Sequence, residues 1–338
     1  MKRSICILTL LLAAPLAAQN SRTVDAVYTA TLGGLPSDAH ELKVWIPLPV
    51  SGAHQTISAL EIDSPYVWSH GRDPDFGNSY IYTTIKSPKL ETLTVRIRFR
   101  ATRTAHLLAR GPISEPSRRD LDRNLRADRL VTISPRIREI ADKVTAGDST
   151  ALTQARAIYD YVLSTLVYDK TKPGWGRGDS ERACDIHAGN CTDFHSLFIS
   201  LARAKGIPAR FIIGFPMPDK GSGRAGGYHC WAEFHVKELG WVAVDPSEAS
   251  KSADPILRNF LFANLDFNRV EFTVGRDVQL RPATKQPLNY FINPYAEADG
   301  EAAGMPAISL DYRDVPPDER HAAVAVPSNG ESADARPR

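Results

Sequence analysis

Between residues 93 and 100 apolar and polar side chains alternate without a break. Leu93, Val95, Ile97 and Phe99 take one register, and Thr94, Arg96, Arg98 and Arg100 the other. A period of two is met by an extended strand with one buried and one wet face, because successive strand side chains point to opposite sides of a sheet. The same alternation runs through Val24, Ala26, Tyr28, Ala30 and Leu32, and through Leu42, Val44, Ile46 and Leu48. Turn-forming breaks such as Gly33-Gly34 and Asp73-Pro74-Asp75 separate the runs. Residues 20–110 are therefore expected to form an all-β domain, a small antiparallel sandwich or barrel. His40, His54 and His70 are scattered through it and are expected on the surface or in loops.

The period changes after a charged, irregular stretch at 110–130, expected to be a linker. Ser134-Pro135 reads as an N-cap followed by a first helical residue, and Ile137, Ile140, Ala141 and Val144 follow at helical spacing. A second helix is predicted over about 150–166, with Ala155, Ile158, Tyr159, Val162, Leu163 and Leu166 on its apolar face. The loop Pro173-Gly174-Trp175-Gly176-Arg177-Gly178 lacks the Gly-Lys-Ser/Thr ending and the leading strand of a phosphate loop. A third helix should start at Asn190, with Asp193 reaching back as in a capping box. Phe194, Leu197, Phe198, Leu201 and Ala202 form its buried stripe. An apolar strand at 211–214, a strand at 228–234 and another at 241–245 follow, the last two joined by a turn at Glu238-Leu239-Gly240. Helices packed on an antiparallel sheet make this region α+β. The expected catalytic domain spans 111–315, with further strands, including 270–274 and 288–292, packed on it. Residues 316–338, rich in Ala, Pro, Ser, Asp and Arg, are expected to be disordered.

The N-terminus reads as an export signal over 1–19. Lys2 and Arg3 precede an apolar run at 5–16, and Ala17 and Ala18 follow it. That run is shorter than the roughly 20 residues needed to cross a bilayer, and Cys6 lacks the setting of a lipid-attachment site. The expected location is the periplasm or the exterior. Loss of the signal takes two cations from 41 Lys+Arg and leaves 39 against 39 Asp+Glu, so no basic surface argues for nucleic acid or anionic lipid. Of four cysteines three would remain, Cys184, Cys191 and Cys230. An odd count in an exported protein suggests one free thiol and at most one bridge. If Cys191 is the reactive thiol, Cys184–Cys230 is the pair left.

A thiol is a good nucleophile as thiolate, and a helix N-terminus, a neighbouring His and partial desolvation can each lower its pKa. Cys191 stands at the first turn of the predicted third helix, where its backbone N–H is also free to hold an oxyanion. His229 could move the proton, and Asp245 could hold the imidazole in one tautomer. Both lie on strands that a hairpin would set side by side. Alternation places His229, Trp231 and Glu233 on one face and Cys230, Ala232 and Phe234 on the other. His229 would then face the cleft while Cys230 points into the structure. His195, one helical turn after Cys191, could line the cleft or tune the thiol, or be a polar residue bonded beside the site. Trp175 could wall the cleft, donate its indole N–H to the oxyanion or simply pack. Asn190 is a further candidate for cleft support, and Trp231 for core or cleft wall. Cys191, His195, His229 and Asp245 can also be read as zinc ligands, but their spacing lacks the repeated short pair of a zinc site. No metal or cofactor is expected.

The segments Gly-Asn-Cys191-Thr-Asp-Phe-His, Tyr-His229-Cys-Trp231-Ala-Glu-Phe and Gly-Trp241-Val-Ala-Val-Asp245, with Leu201-Ala-Arg-Ala-Lys-Gly206-Ile-Pro-Ala-Arg210 between them, resemble the transglutaminase-like superfamily. The similarity is strongest over about 160–250, towards exported bacterial members with an N-terminal β region. It implies a papain-like α+β core carrying a Cys-His-Asp triad. It also implies chemistry on peptide or carboxamide bonds of a protein or peptide substrate, for instance in the cell envelope, by hydrolysis or by acyl transfer to an amine. Some members have lost the triad and only bind, which is the rival expectation. Oligomeric state is not legible.

Overall fold

The computed structural model describes residues 21–108, 115–218 and 220–316. The expected signal peptide at 1–19 and nearly all of the expected disordered tail lie outside the described residues. In the first part β1 (Ser21–Gly33), β2 (Glu41–Pro47), β3 (Gln55–Asp63), β4 (Ser69–Arg72), β5 (Ser79–Lys86) and β6 (Thr92–Thr104) are followed by the short β7 (His106–Leu107). The alternation is realised as read: Leu93, Val95, Ile97 and Phe99 are buried on β6, and Arg96 and Arg98 stand on its exposed face. His40 and His70 are exposed, whereas His54 sits in a turn, half-buried, with its ring stacked 3.9 Å from that of His106.

The expected linker holds a helix, α1 (Arg118–Arg123), closed by a Ser117/Asp120 capping box. Then come α2 (Pro135–Val144), α3 (Ala151–Thr165), β8 (Val167–Tyr168), α4 (Ser180–Ile186), β9 (Ala188–Gly189) and α5 (Cys191–Ala204). The Ser134 hydroxyl accepts from Ile137 N–H and Pro135 occupies the first turn of α2, as its sequence predicts. The strands β10 (Ala209–Pro216), β11 (Ser222–Ala225), β12 (His229–Val236) and β13 (Gly240–Val244) lead into α6 (Pro246–Ser250) and α7 (Pro255–Phe260). The chain ends in β14 (Asn264–Leu265), β15 (Arg269–Val274), β16 (Tyr295–Ala298), β17 (Glu301–Ala303) and β18 (Met305–Asp314).

The fold is α+β, but the domains are not consecutive. The middle sheet has the order β13-β12-β10-β15, all antiparallel. The two larger sheets mix both ends of the chain: β11-β18-β1-β6-β3 and β17-β16-β2-β5-β4. Of the late segment only β15 joins the middle sheet. β16 and β18 instead pair with β2 and β1, with registers such as Ala296↔Val44 and Tyr312↔Ala26. Backbone amides left over at a sheet edge need partners, and β15 finds them across the boundary. Gln55 exchanges both bonds with the Glu271 backbone at 2.9 Å, and Asn78 exchanges both with the Val274 backbone. One hydrophobic core runs from Tyr28 and Phe99 through Phe272 and Phe215 to the helices.

At its centre lies α5. Its sequence predicts a single apolar stripe, yet every residue from Cys191 to Arg203 is buried. β10 and β12 cover one side and α2, α3, α4 and α6 the other. Its polar side chains are bonded instead of wet. Arg203 pairs with Asp128 at 2.6 Å, Ser196 accepts from Arg276 at 2.6 Å, and Ser200 donates to the Thr132 carbonyl. Buried polar groups are tolerated when so paired.

Candidate active site

The start of α5 is built by Asn190 and Asp193. Asn190 Oδ1 accepts from Thr192 N–H at 2.9 Å, and Asp193 Oδ2 accepts from Asn190 N–H at 2.9 Å, which completes the capping box. The same carboxylate takes two more amides, Gly176 N–H at 2.8 Å and Gly178 N–H at 3.1 Å, and so clamps the preceding loop to the helix start. Burial pushes the Asp193 carboxyl up, against these three bonds that favour its ion. Gly178 stands at φ +63°, and a Cβ there would lie 2.5 Å from Ser196 Oγ, so a side chain is excluded on both counts. Cys191 follows the cap directly. Its N–H is among the first of the helix, which have no carbonyl one turn back to bond, and the positive end of the helix favours its thiolate.

The structure brings His229 and Asp245 to this point. His229 opens β12 and Asp245 follows the end of β13 as the N-cap of α6. His229 Nε2 lies 2.7 Å from Asp245 Oδ2, which leaves Nδ1 for the thiol side. Burial alone would lower the pKa of His229, but the charge and hydrogen bond of Asp245, with the thiol of Cys191, raise it to about 9. The Cys191 thiol is held well below its ordinary value. Contact with the Cys230 thiol lowers it first, burial opposes, and His229 and His195 lower it further. Thiolate and imidazolium are thus mutually stabilised.

Asp245 is wholly buried, and its oxygens are saturated. Oδ2 also takes Arg269 Nη1 at 3.0 Å; Oδ1 takes Glu248 N–H at 3.0 Å and Ser247 Oγ at 3.3 Å. Burial would raise this carboxyl, but His229 and His195 override it and hold it well below the carboxylate range. His195 Nε2 lies 3.3 Å from Oδ1 but off the line of a hydrogen bond. Its Nδ1 sits 2.6 Å from the Cys191 carbonyl, which can only accept, so Nδ1 carries a proton. His195 is therefore bonded beside the site, to the backbone of Cys191.

Cys184, Cys191 and Cys230 are all free, which corrects the expected Cys184–Cys230 bridge. The strand alternation turns Cys230 toward α5, where its Sγ lies 3.5 Å from His195 Nδ1 and 3.8 Å from Thr192 Oγ1. Its sulfur thus neighbours Cys191 rather than Cys184. Burial, with the charge of Cys191, pushes the Cys230 thiol well up. Cys184 sits on α4, where burial raises its thiol to about 11. A count of cysteines carries no information about position, which is why it mispairs them.

Trp175 stands on the clamped loop, 40% exposed. Asn190 is a structural cap whose Nδ2 reaches the Tyr228 hydroxyl at 3.4 Å. Trp231 is core: it faces away from Cys230, with the guanidinium groups of Arg103 and Arg269 5.7 and 5.2 Å from its ring centroid. Among the described residues no three His, Cys, Asp or Glu side chains converge as a metal site. Sequence reasoning missed Arg269, the cation on Asp245, and the tyrosines Tyr168, Tyr228 and Tyr290 around the helix start. Arg269 carries no local signal, because it opens an ordinary strand. The tyrosines could have been sought as the aromatic neighbours of the two motifs.

Residues 138–246, which include Cys191, His229 and Asp245, match the family model described as the transglutaminase-like superfamily. An uncharacterised protein of Haemophilus influenzae is 27% identical over 302 residues, 77% of this chain and 82% of its own length. The protein-glutamine gamma-glutamyltransferase of Pseudomonas aeruginosa is 27% identical over 124 residues, 34% of this chain and only 18% of that enzyme. A solved structure from Cytophaga hutchinsonii, assigned provisionally as a cysteine protease, superposes with a TM-score of 0.60 over 88% of this chain and 92% of its own, at 14% identity. That likeness is one of fold.

Proposed function

Residues 138–246 form a transglutaminase-like domain, and from that premise we propose that the protein is an exported thiol enzyme acting on peptide or carboxamide bonds. The observation that carries this reading is the buried 2.7 Å bond between His229 and Asp245, with the Cys191 thiol at the other side of the imidazole and at a helix N-terminus. The Cys191 thiolate attacks the amide carbon, and the Cys191 N–H holds the oxyanion. The His229 imidazolium gives its proton to the departing amine, which leaves a thioester on Cys191. Neutral His229 then takes a proton from the resolving nucleophile. Asp245 keeps the ring oriented throughout. Hydrolysis is favoured over transfer to an amine, since water is the nucleophile always present. No described helix is long and apolar enough to cross a membrane, and the basic, apolar start of the sequence supports a periplasmic or secreted protein.

The test is the rate of alkylation. Iodoacetamide near neutral pH should label Cys191 faster than Cys184 or Cys230, and His229→Ala should remove the advantage. Equal labelling of the three, with no amidase or transferase activity, would leave a binding module with a vestigial triad.

A further inference from the structure

We propose that a carboxylate-binding subsite, built on Lys170 with Lys251 and walled by Tyr168 and Trp175, flanks Cys191 and selects substrates that carry a carboxylate next to the attacked amide. The inference rests on the thiol-enzyme reading above. Tyr168 is held beside the nucleophile by the parallel pairing of β8 with β9, Tyr168 against Gly189, two residues before Cys191. Its ring packs 6.2 Å from that of Phe194 on α5. Trp175 is fixed nearby, because the next residue, Gly176, is bonded to Asp193 at 2.8 Å.

Two cations share these rings. Lys170 Nζ lies 5.8 Å from the centroid of Tyr168 and 5.8 Å from that of Trp175. Lys251, directly after α6, also approaches the Tyr168 ring, with Nζ 4.5 Å from its centroid. Lys251 also meets Glu248 at 2.8 Å, with both side chains more than a third exposed, a pair of little strength. Lys170 meets no carboxylate among the described residues. It is an exposed ammonium held by two aromatic faces, one of them on the strand paired with the residues just before Cys191, and the anions nearest the thiol, Asp193 and Asp245, are buried and saturated. Aromatic faces orient a cation without neutralising it, so the missing partner is an anion from outside. A carboxylate fits, since peptides supply one either as an acidic side chain or as a free C-terminus.

Three chloroacetyl dipeptide probes separate these sources: Gly-Glu-amide carries only the side-chain carboxylate, Gly-Gln with a free C-terminus only the α-carboxylate, and Gly-Gln-amide neither. Mass spectrometry reads the rate at which each alkylates Cys191. One acidic probe should react about tenfold faster than the neutral one, an advantage that salt screens. Lys170→Gln should cut the preference to about twofold, and Lys170→Glu should invert it toward a Gly-Lys-amide probe. Uncharged iodoacetamide should react alike with wild type and variants, which shows that the thiol and fold are intact. Equal rates with all probes, or a preference that survives both Lys170→Gln and Lys251→Gln, would overturn the subsite while leaving the thiol reading standing. Failure of iodoacetamide to single out Cys191 would instead sink the thiol reading, and the subsite with it.

Discussion

At the residue scale the site is a charge balance between four side chains packed without water-exposed relief. His229 is raised to about 9, so its protonated form contributes stability that is fully present below the unfolded value of roughly 6.5 and is lost as pH rises through about 9. Asp245 has the opposite sign: its contribution is present above the unfolded carboxylate value and is lost as pH falls through its depressed native value. Thiol reactivity of Cys191 should therefore hold across neutral pH and change near 9 as His229 loses its proton. Asp245→Asn keeps an N-cap for α6 but removes the charge that raises His229. Its alkaline transition should move to lower pH, and turnover should fall by about a hundredfold to ten-thousandfold. A pH–rate profile of alkylation, with steady-state turnover, checks both. Cys230→Ala removes the contact that most lowers the Cys191 pKa. The thiolate titration, followed by absorbance near 240 nm or by alkylation at acidic pH, should then shift upward. An unshifted titration would show that the second sulfur has no part in activation.

At the element scale the decisive object is the join between the glycine loop and α5. Asp193 serves two ends at once, as the capping-box acid and as the acceptor for Gly176 and Gly178. Asp193→Ala would leave three buried N–H groups unpaired, at an expected cost of about 2–4 kcal/mol. It should also loosen the loop carrying Trp175. Thermal melts give the first, and increased proteolysis between residues 170 and 180 the second. Gly178→Ala should destabilise by about 1–3 kcal/mol, through its positive φ and its clash with Ser196. Gly227→Ala, at a position with open space and negative φ, should be nearly neutral in the same melt.

At the scale of the whole molecule the chain closes on itself. β18 lies between β1 and β11, and β16 between β2 and β17, so the two large sheets exist only when the C-terminal segment returns. Arg103 on β6 reaches Glu271 on β15 at 3.3 Å, and Gln55 and Asn78 satisfy the edge of β15. Arg269, at the start of that strand, holds Asp245. The sheets built from both ends of the chain therefore back Asp245 through β15. A chain stopped after residue 300 should lose β18, expose the β1 edge and fail to fold, and residues 115–274 alone should not be soluble. Soluble expression and circular dichroism of both truncations test this; a well-folded 115–274 fragment would contradict it.

What the sequence alone determined is what neighbours along the chain can encode. Alternation on β6, the Ser134-Pro135 start of α2, the Asn190/Asp193 box on α5 and the order Cys191, His229, Asp245 were all legible, because each depends on spacing of a few residues or on a short hairpin. The resemblance to a known superfamily is what made that order readable as a candidate triad. Tertiary structure alone decided the rest. It paired β18 with β1 from opposite ends of the chain, buried α5 on every side, set Cys230 against Cys191 instead of Cys184, and placed Arg269 on Asp245. Each of these joins residues distant in sequence, whose contact free energy exists only once the loops between them have closed.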